Sequence, residues 1–144
     1  MAEQIFEFDG TLDKFIGDAI LAVFGAPLAQ PDHADRAIEA ALAMRHALAE
    51  MNKDWPANPL QMRIALNSGV ALTGDIGSPR RREFTVLGDV VNACSRIEST
   101  VCKPGQIVCS RATLDRAKKK FDTTSLGAVS LRGRQAEMEV FEVN

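Results

Sequence analysis

Three patterns predict a single α+β domain, an antiparallel sheet with helices on one face. Short β-prone runs come in pairs, broken by turn residues at Gly17-Asp18 and at Ser68-Gly69. One long segment, His33 to Met51, repeats apolar residues at helical spacing. The 144 residues carry no internal repeat, low-complexity stretch or linker, so one domain accounts for the length.

In chain order, residues 2–8 mix apolar and charged side chains and read as the tail of a helix, closed by Asp9-Gly10. Thr11–Ile16 and Ala19–Phe24 make a tight hairpin across Gly17-Asp18, and Gly25-Ala26-Pro27 ends it. Asp32 stands at a helix cap. Behind it Ala34, Ala37, Ile38, Ala41, Met44, Leu48 and Met51 form one stripe. The charged residues lie mostly off it, so the stripe is core. Residues 55–59 are a Pro-rich loop. Met62–Asn67 and Val70–Thr73 are strand-like, residues 74–79 a turn, and Arg80-Arg81-Arg82 a basic tip. Phe84–Leu87 is a short strand. Gly88-Asp89 opens a helix from Val90 to Thr100 with Asp89 as its cap. After the turn at Lys103-Pro104-Gly105 comes a strand, Gln106–Cys109, then a short helix with a cationic end, Ser110–Lys120. Ala128–Arg132 and Met138–Val143 close the chain as a last hairpin.

Composition narrows the function. Hydrophobic residues make up 46%, enough for one core. A net charge of −2 supplies no field for a polyanion, and neither Arg80–Arg82 nor Lys118–Lys120 is interleaved with aromatics. Nucleic acid is therefore not an expected partner. No apolar run has the length of a membrane span, and the first residues lack the basic and apolar regions of a signal peptide. Cys94, Cys102 and Cys109 are an odd number with no Cys-x-x-Cys and no His at metal spacing. They read as free thiols in a reducing, cytoplasmic setting. His33 and His46 read as two solvated histidines.

Four features go further. Asp18 follows Gly17 at the hairpin tip, where a carboxylate projects beyond the sheet and offers a hard oxygen to Mg²⁺ or Mn²⁺. Alone, it reads as a plain turn aspartate. Lys14 lies four residues earlier on the same strand face, able to serve a nucleotide or simply an edge ion pair. Asn92 and Arg96, at helical i,i+4 spacing, set an amide beside a guanidinium. The plainer reading is an exposed polar face. Leu131-Arg132-Gly133-Arg134 places two cations across a glycine, a phosphate clamp or an ordinary basic turn.

Together these residues resemble a known family. Gly10-Thr11-Leu12-Asp13-Lys14-Phe15-Ile16-Gly17-Asp18-Ala19-Ile20-Leu21-Ala22-Val23-Phe24-Gly25 is similar to the hairpin of class III nucleotidyl cyclases. Phe84-Thr85-Val86-Leu87-Gly88-Asp89-Val90-Val91-Asn92-Ala93-Cys94-Ser95-Arg96-Ile97-Glu98 resembles that family's second signature. The order and separation are family-like, and the resemblance runs to the closing Val140-Phe141-Glu142-Val143. It implies a ferredoxin-like, palm-like α+β fold and an adenylate-type cyclase, making 3′,5′-cyclic AMP and pyrophosphate from ATP. It implies two Mg²⁺ or Mn²⁺ ions per site, with Asp18 as the second metal aspartate. Lys14 and Thr85 match the purine-reading pair in its adenine-selective form, Asn92 the ribose-orienting asparagine, and Arg96 the transition-state arginine. Arg132 stands where a phosphate-binding lysine is frequent. The site forms between head-to-tail partners, a homodimer or a cyclase-like second chain.

The departure from the pattern is at the front. The family's first strand and helices, with the segment carrying the first metal aspartate, have no counterpart, since Met1–Glu7 already reads as the helix that follows them. The expectation is one catalytic domain over residues 1–144 without that strand, inert or nearly so alone. The rival is a non-catalytic cyclase-like module that dimerises with or regulates a complete partner. A diguanylate cyclase lacks support without a Gly-Gly-Asp/Glu-Glu-Phe hairpin, and a generic nucleotide-binding domain without a P-loop or Gly-x-Gly-x-x-Gly.

Overall fold

The structure, a computed structural model, describes residues 2–76, 83–131 and 136–144. A short helix, α1 (Ala2–Glu7), leads into the hairpin β1 (Thr11–Ile16) and β2 (Ala19–Val23). The long helix α2 (His33–Asn52) follows, then β3 (Ile64–Leu66) and a second hairpin, β4 (Leu72–Ile76) with β5 (Glu83–Leu87). Helix α3 (Asp89–Arg96) continues as a π turn, Ile97–Val101. The chain ends β6 (Ile107–Ser110), α4 (Arg111–Arg116), β7 (Thr123–Val129) and β8 (Met138–Val143).

The central sheet has the order β3-β6-β8-β7, and the two hairpins are separate ribbons. Its pairs are antiparallel except β3 with β6, which run parallel. A parallel pair needs a crossover. Here the crossover contains the β4-β5 hairpin and α3, so this connection is also what delivers α3 to the sheet.

Successive residues of a strand face opposite ways, and β6 uses both faces. Ile107 and Cys109 pack with Ile38 and Ala41 of α2 and with Phe141 and Val143 of β8, backed by Leu114 of α4. Val108 packs with Ala93 of α3, Ile97, Cys102 and Val140. The helices therefore do not all lie on one face: α2 and α4 share one, and α3 with its π turn covers the other. The apolar stripe of α2 is core as expected, with Ala34, Ile38 and Ala41 buried. Among the described residues no helix is long and apolar enough to cross a membrane.

Other differences have local causes. Strand β4 runs through Gly74, Asp75 and Ile76, which pair with Thr85, Phe84 and Glu83, where turn-like composition suggested a loop. The rest of that expected turn and the Arg80–Arg82 tip lie outside the described residues. Strand β7 begins at Thr123, and most of its residues are exposed, so no apolar alternation marked it. Asp32 occupies the N-cap of α2 without a side-chain cap bond, because its Oδ1 accepts from Arg36 Nε at 2.9 Å. Gly88, not Asp89, is the N-cap of α3. Ser110 is the working cap: it begins α4, and its Oγ accepts from Thr113 N at 3.3 Å.

Candidate active site

The β1-β2 hairpin sets the first group. Gly17 has φ +60, the left-handed turn conformation that side chains resist, and it lets the chain reverse sharply enough to leave Asp18 exposed at the tip. The ribbon carries an irregularity: pairing shifts between Leu12 and Lys14, so Asp13 is an extra, unpaired residue. The bulge re-aims Asp13. Its side chain is 1% exposed against 47% for Lys14, and Lys14 Nζ lies 3.9 Å from Asp13 Oδ2. Among the described residues neither Asp13 oxygen has a hydrogen-bond partner. Strand β1 also packs beside β5, so the strand of Lys14 is brought against the strand of Thr85.

Helix α3 sets the second group. Gly88 has φ +146, and a Cβ there would stand 3.6 Å from Val70 O and Ala71 Cα. The helix thus starts tight against the segment that follows β3. Its buried residue is Ala93, and Ile97 of the π turn continues the same side. Asn92 is exposed and Arg96 half-buried. Among the described residues no other side chain engages the Asn92 amide or the Arg96 guanidinium, so both are available to a ligand. Cys94 is tucked under, its Sγ donating to Ala65 O at 3.2 Å. Burial pushes that thiol from 9.0 up to about 11, so it is neutral at pH 7.

The structure brings the strands of Lys14 and Thr85 together, presents Asp18 outward, and presents Asn92 and Arg96 from one helix. It does not gather Asp18 and Asn92–Arg96 into one described pocket. A hollow of about 180 Å³ between α2 and residues 60–62 includes none of them. Arg132 lies outside the described residues. All three cysteines are free.

Sequence reading missed two residues. Asp13 looked like one more charge beside the hairpin, and only the bulge reveals it as buried. Asn67 looked like the end of a strand, yet its Nδ2 donates to Val90 O at 3.1 Å and its Oδ1 accepts from Ser110 Oγ at 2.7 Å. A polar residue immediately before Ser68-Gly69 was the available signal.

Known proteins with this pattern are cyclases. The sequence profile of the adenylate and guanylate cyclase catalytic domain matches residues 3–144. Adenylate cyclase 1 of Rhizobium meliloti (strain 1021) is 31% identical over 99% of this chain, which spans 22% of that protein's length. The crystal structure of the guanylyl cyclase Cya2 superposes with a TM-score of 0.88 at 35% identity, over 99% of this chain and 73% of that one. A non-canonical dimeric guanylyl cyclase domain of the RhoGC fusion protein from the aquatic fungus Blastocladiella emersonii gives 0.80 at 31% identity, over 99% and 75%. With both signature segments in place on this fold, the chain belongs to the adenylate and guanylate cyclase catalytic domain family.

Proposed function

We propose that residues 1–144 act as one catalytic domain of an adenylate cyclase, forming 3′,5′-cyclic AMP and pyrophosphate from ATP at a site shared with a second chain. The observation that carries this is the outward presentation, in a cyclase-family chain, of Asp18 at the hairpin tip and of Asn92 and Arg96 without a side-chain mate among the described residues. Groups aimed away from their own core suit a site completed across an interface. Head-to-tail pairing would set the tip of one chain against α3 of the other.

In this reading the ribose 3′-oxygen attacks the α-phosphorus, the new O–P bond forms, and the bond to the β-phosphate oxygen breaks to release pyrophosphate. Asn92 holds the ribose by hydrogen bonds, so the attacking oxygen stays in line. Arg96 stabilises charge growing on the phosphate oxygens, and losing one such donor typically costs about 10²–10³ in rate. Lys14 donates to adenine N1 while the Thr85 hydroxyl accepts from the 6-amino group. Arg132 binds the phosphate tail. Asp18 fits a Mg²⁺ or Mn²⁺ ion, because such ions are held by one or two carboxylates plus substrate phosphates. When bound, such a pair of ions supplies stabilisation of the entering and leaving oxygens.

The test mixes this chain with a complete cyclase domain whose own asparagine and arginine counterparts are replaced by alanine. Cyclic AMP should appear, and should vanish with Asn92→Ala or Arg96→Ala in this chain. Silence from the wild-type mixture overturns the proposal in favour of a non-catalytic dimerising module.

A further inference from the structure

We infer that Asn67 is a positioning residue of this site, pinning helix α3 to the end of β3 so that Asn92 and Arg96 meet the nucleotide at a fixed angle. The inference rests on the function proposed above. Helix α3 has eight residues before its π turn, too few to hold its own place by helix formation alone. Ala93 and Ile97 pack it against the sheet, and polar contacts at its edge set its angle. The Asn67 carboxamide is bonded at both ends: Nδ2 to the Val90 carbonyl at 3.1 Å, Oδ1 to Ser110 Oγ at 2.7 Å. Ser110 is fully buried and also caps α4, so Asn67 joins the first turn of α3 to an anchored point of the core. Beside it, a Cβ on Gly69 would stand 3.3 Å from Val90 Cγ2, so the loop and the helix touch without a spacer. One turn on, Cys94 Sγ bonds Ala65 O at 3.2 Å.

At about 100° per residue, Val90 and Cys94 lie about 40° apart on one side of α3. Asn92 and Arg96 fall about 200° and 240° from Val90, on the far side. The helix is tied along one edge and works along the opposite one. A small roll about the tied edge swings both functional groups together, and errors near 1 Å cost about 10²-fold in well-aligned reactions.

Asparagine suits the position because it donates and accepts at once, whereas an ionised aspartate only accepts. Asn67→Asp is nearly isosteric. It keeps an acceptor for Ser110 and sets a carboxylate oxygen against the Val90 carbonyl. The experiment uses the full 144-residue chain in the mixture described above, reading kcat and KM separately. Asn67→Asp should lower kcat about 10–100-fold with KM within about twofold. Ser110→Ala removes the other bond and the α4 cap but leaves the Asn67–Val90 bond that reaches α3, so it should lower the melting temperature at least as much yet leave kcat within about threefold. Hydrogen exchange of the α3 amides should rise in Asn67→Asp more than in Ser110→Ala. If kcat tracks melting temperature across both variants, Asn67 is merely structural and the inference is wrong. If the wild-type mixture makes no cyclic AMP, the functional reading itself falls, and this inference with it.

Discussion

Two aspartates absent from the proposed chemistry show how differently one residue type can be housed. Asp35 on α2 is 3% exposed and accepts from the backbone of Lys118 at 3.0 Å to each oxygen and from Lys119 at 2.9 Å. Hydrogen bonds to a charged group contribute about 1.5–3 kcal/mol each. Asp35→Ala should therefore destabilise the chain by about 2–4 kcal/mol in urea unfolding, since it also strands two backbone N–H groups. Asp13 has no such donors. Its carboxylate faces the half-exposed Lys14 at 3.9 Å, so an apolar group of similar size removes a buried charge and leaves the Lys14 ammonium to solvent. Asp13→Leu should raise or hold the melting temperature, and a clear drop would mean that the Lys14 contact stabilises the fold. The purine-reading assignment has its own check: Lys14→Glu with Thr85→Cys should shift preference from ATP toward GTP, measured by product formed from an equimolar mixture. The signature residues were legible because their meaning is carried by local order along the chain. Asp13 and Asn67 were not, because one depends on a bulge and the other on partners 23 and 43 residues away.

Among elements, the long amphipathic helix and the first hairpin were readable from periodicity and turn residues alone. Strand β7 was not, because its residues face solvent and carry no apolar period. The π turn was not, because Ile97–Val101 reads as a continuation of α3. The start of α2 carries a pH signature. The Arg36 hydrogen bond holds the Asp32 carboxyl below its ordinary 3.8. A depressed carboxylate contributes stability above its unfolded pKa and loses it as pH falls through the folded value. Asp32→Asn should thus destabilise at pH 7 and lose that effect as the pH falls below the lowered folded pKa, seen as converging thermal midpoints. Buried Cys94 has the opposite sign. A thiol raised to about 11 contributes below its unfolded value, and that contribution fades as pH climbs toward 11. Cys94→Ala should accordingly flatten the alkaline limb of the stability profile.

At the scale of the whole molecule, a site completed across an interface makes activity depend on association. In the proposed reading, turnover of the mixture with a complete domain should rise with the concentration of this chain and level off once sedimentation shows the mixed pair fully formed. Concentration-independent turnover would mean that one chain suffices.

Layering has a further consequence, for sequence diversification. Ile107, Val108, Cys109 and Ser110 are each at most 1% exposed, because helices cover the sheet from above and below at β6. In a saturation library these four positions should tolerate the fewest substitutions, while Thr124–Leu126 of β7 should accept most polar residues. Labels or tags belong on that outer strand, and inherited variation within β6 should be read as loss of folding before loss of chemistry.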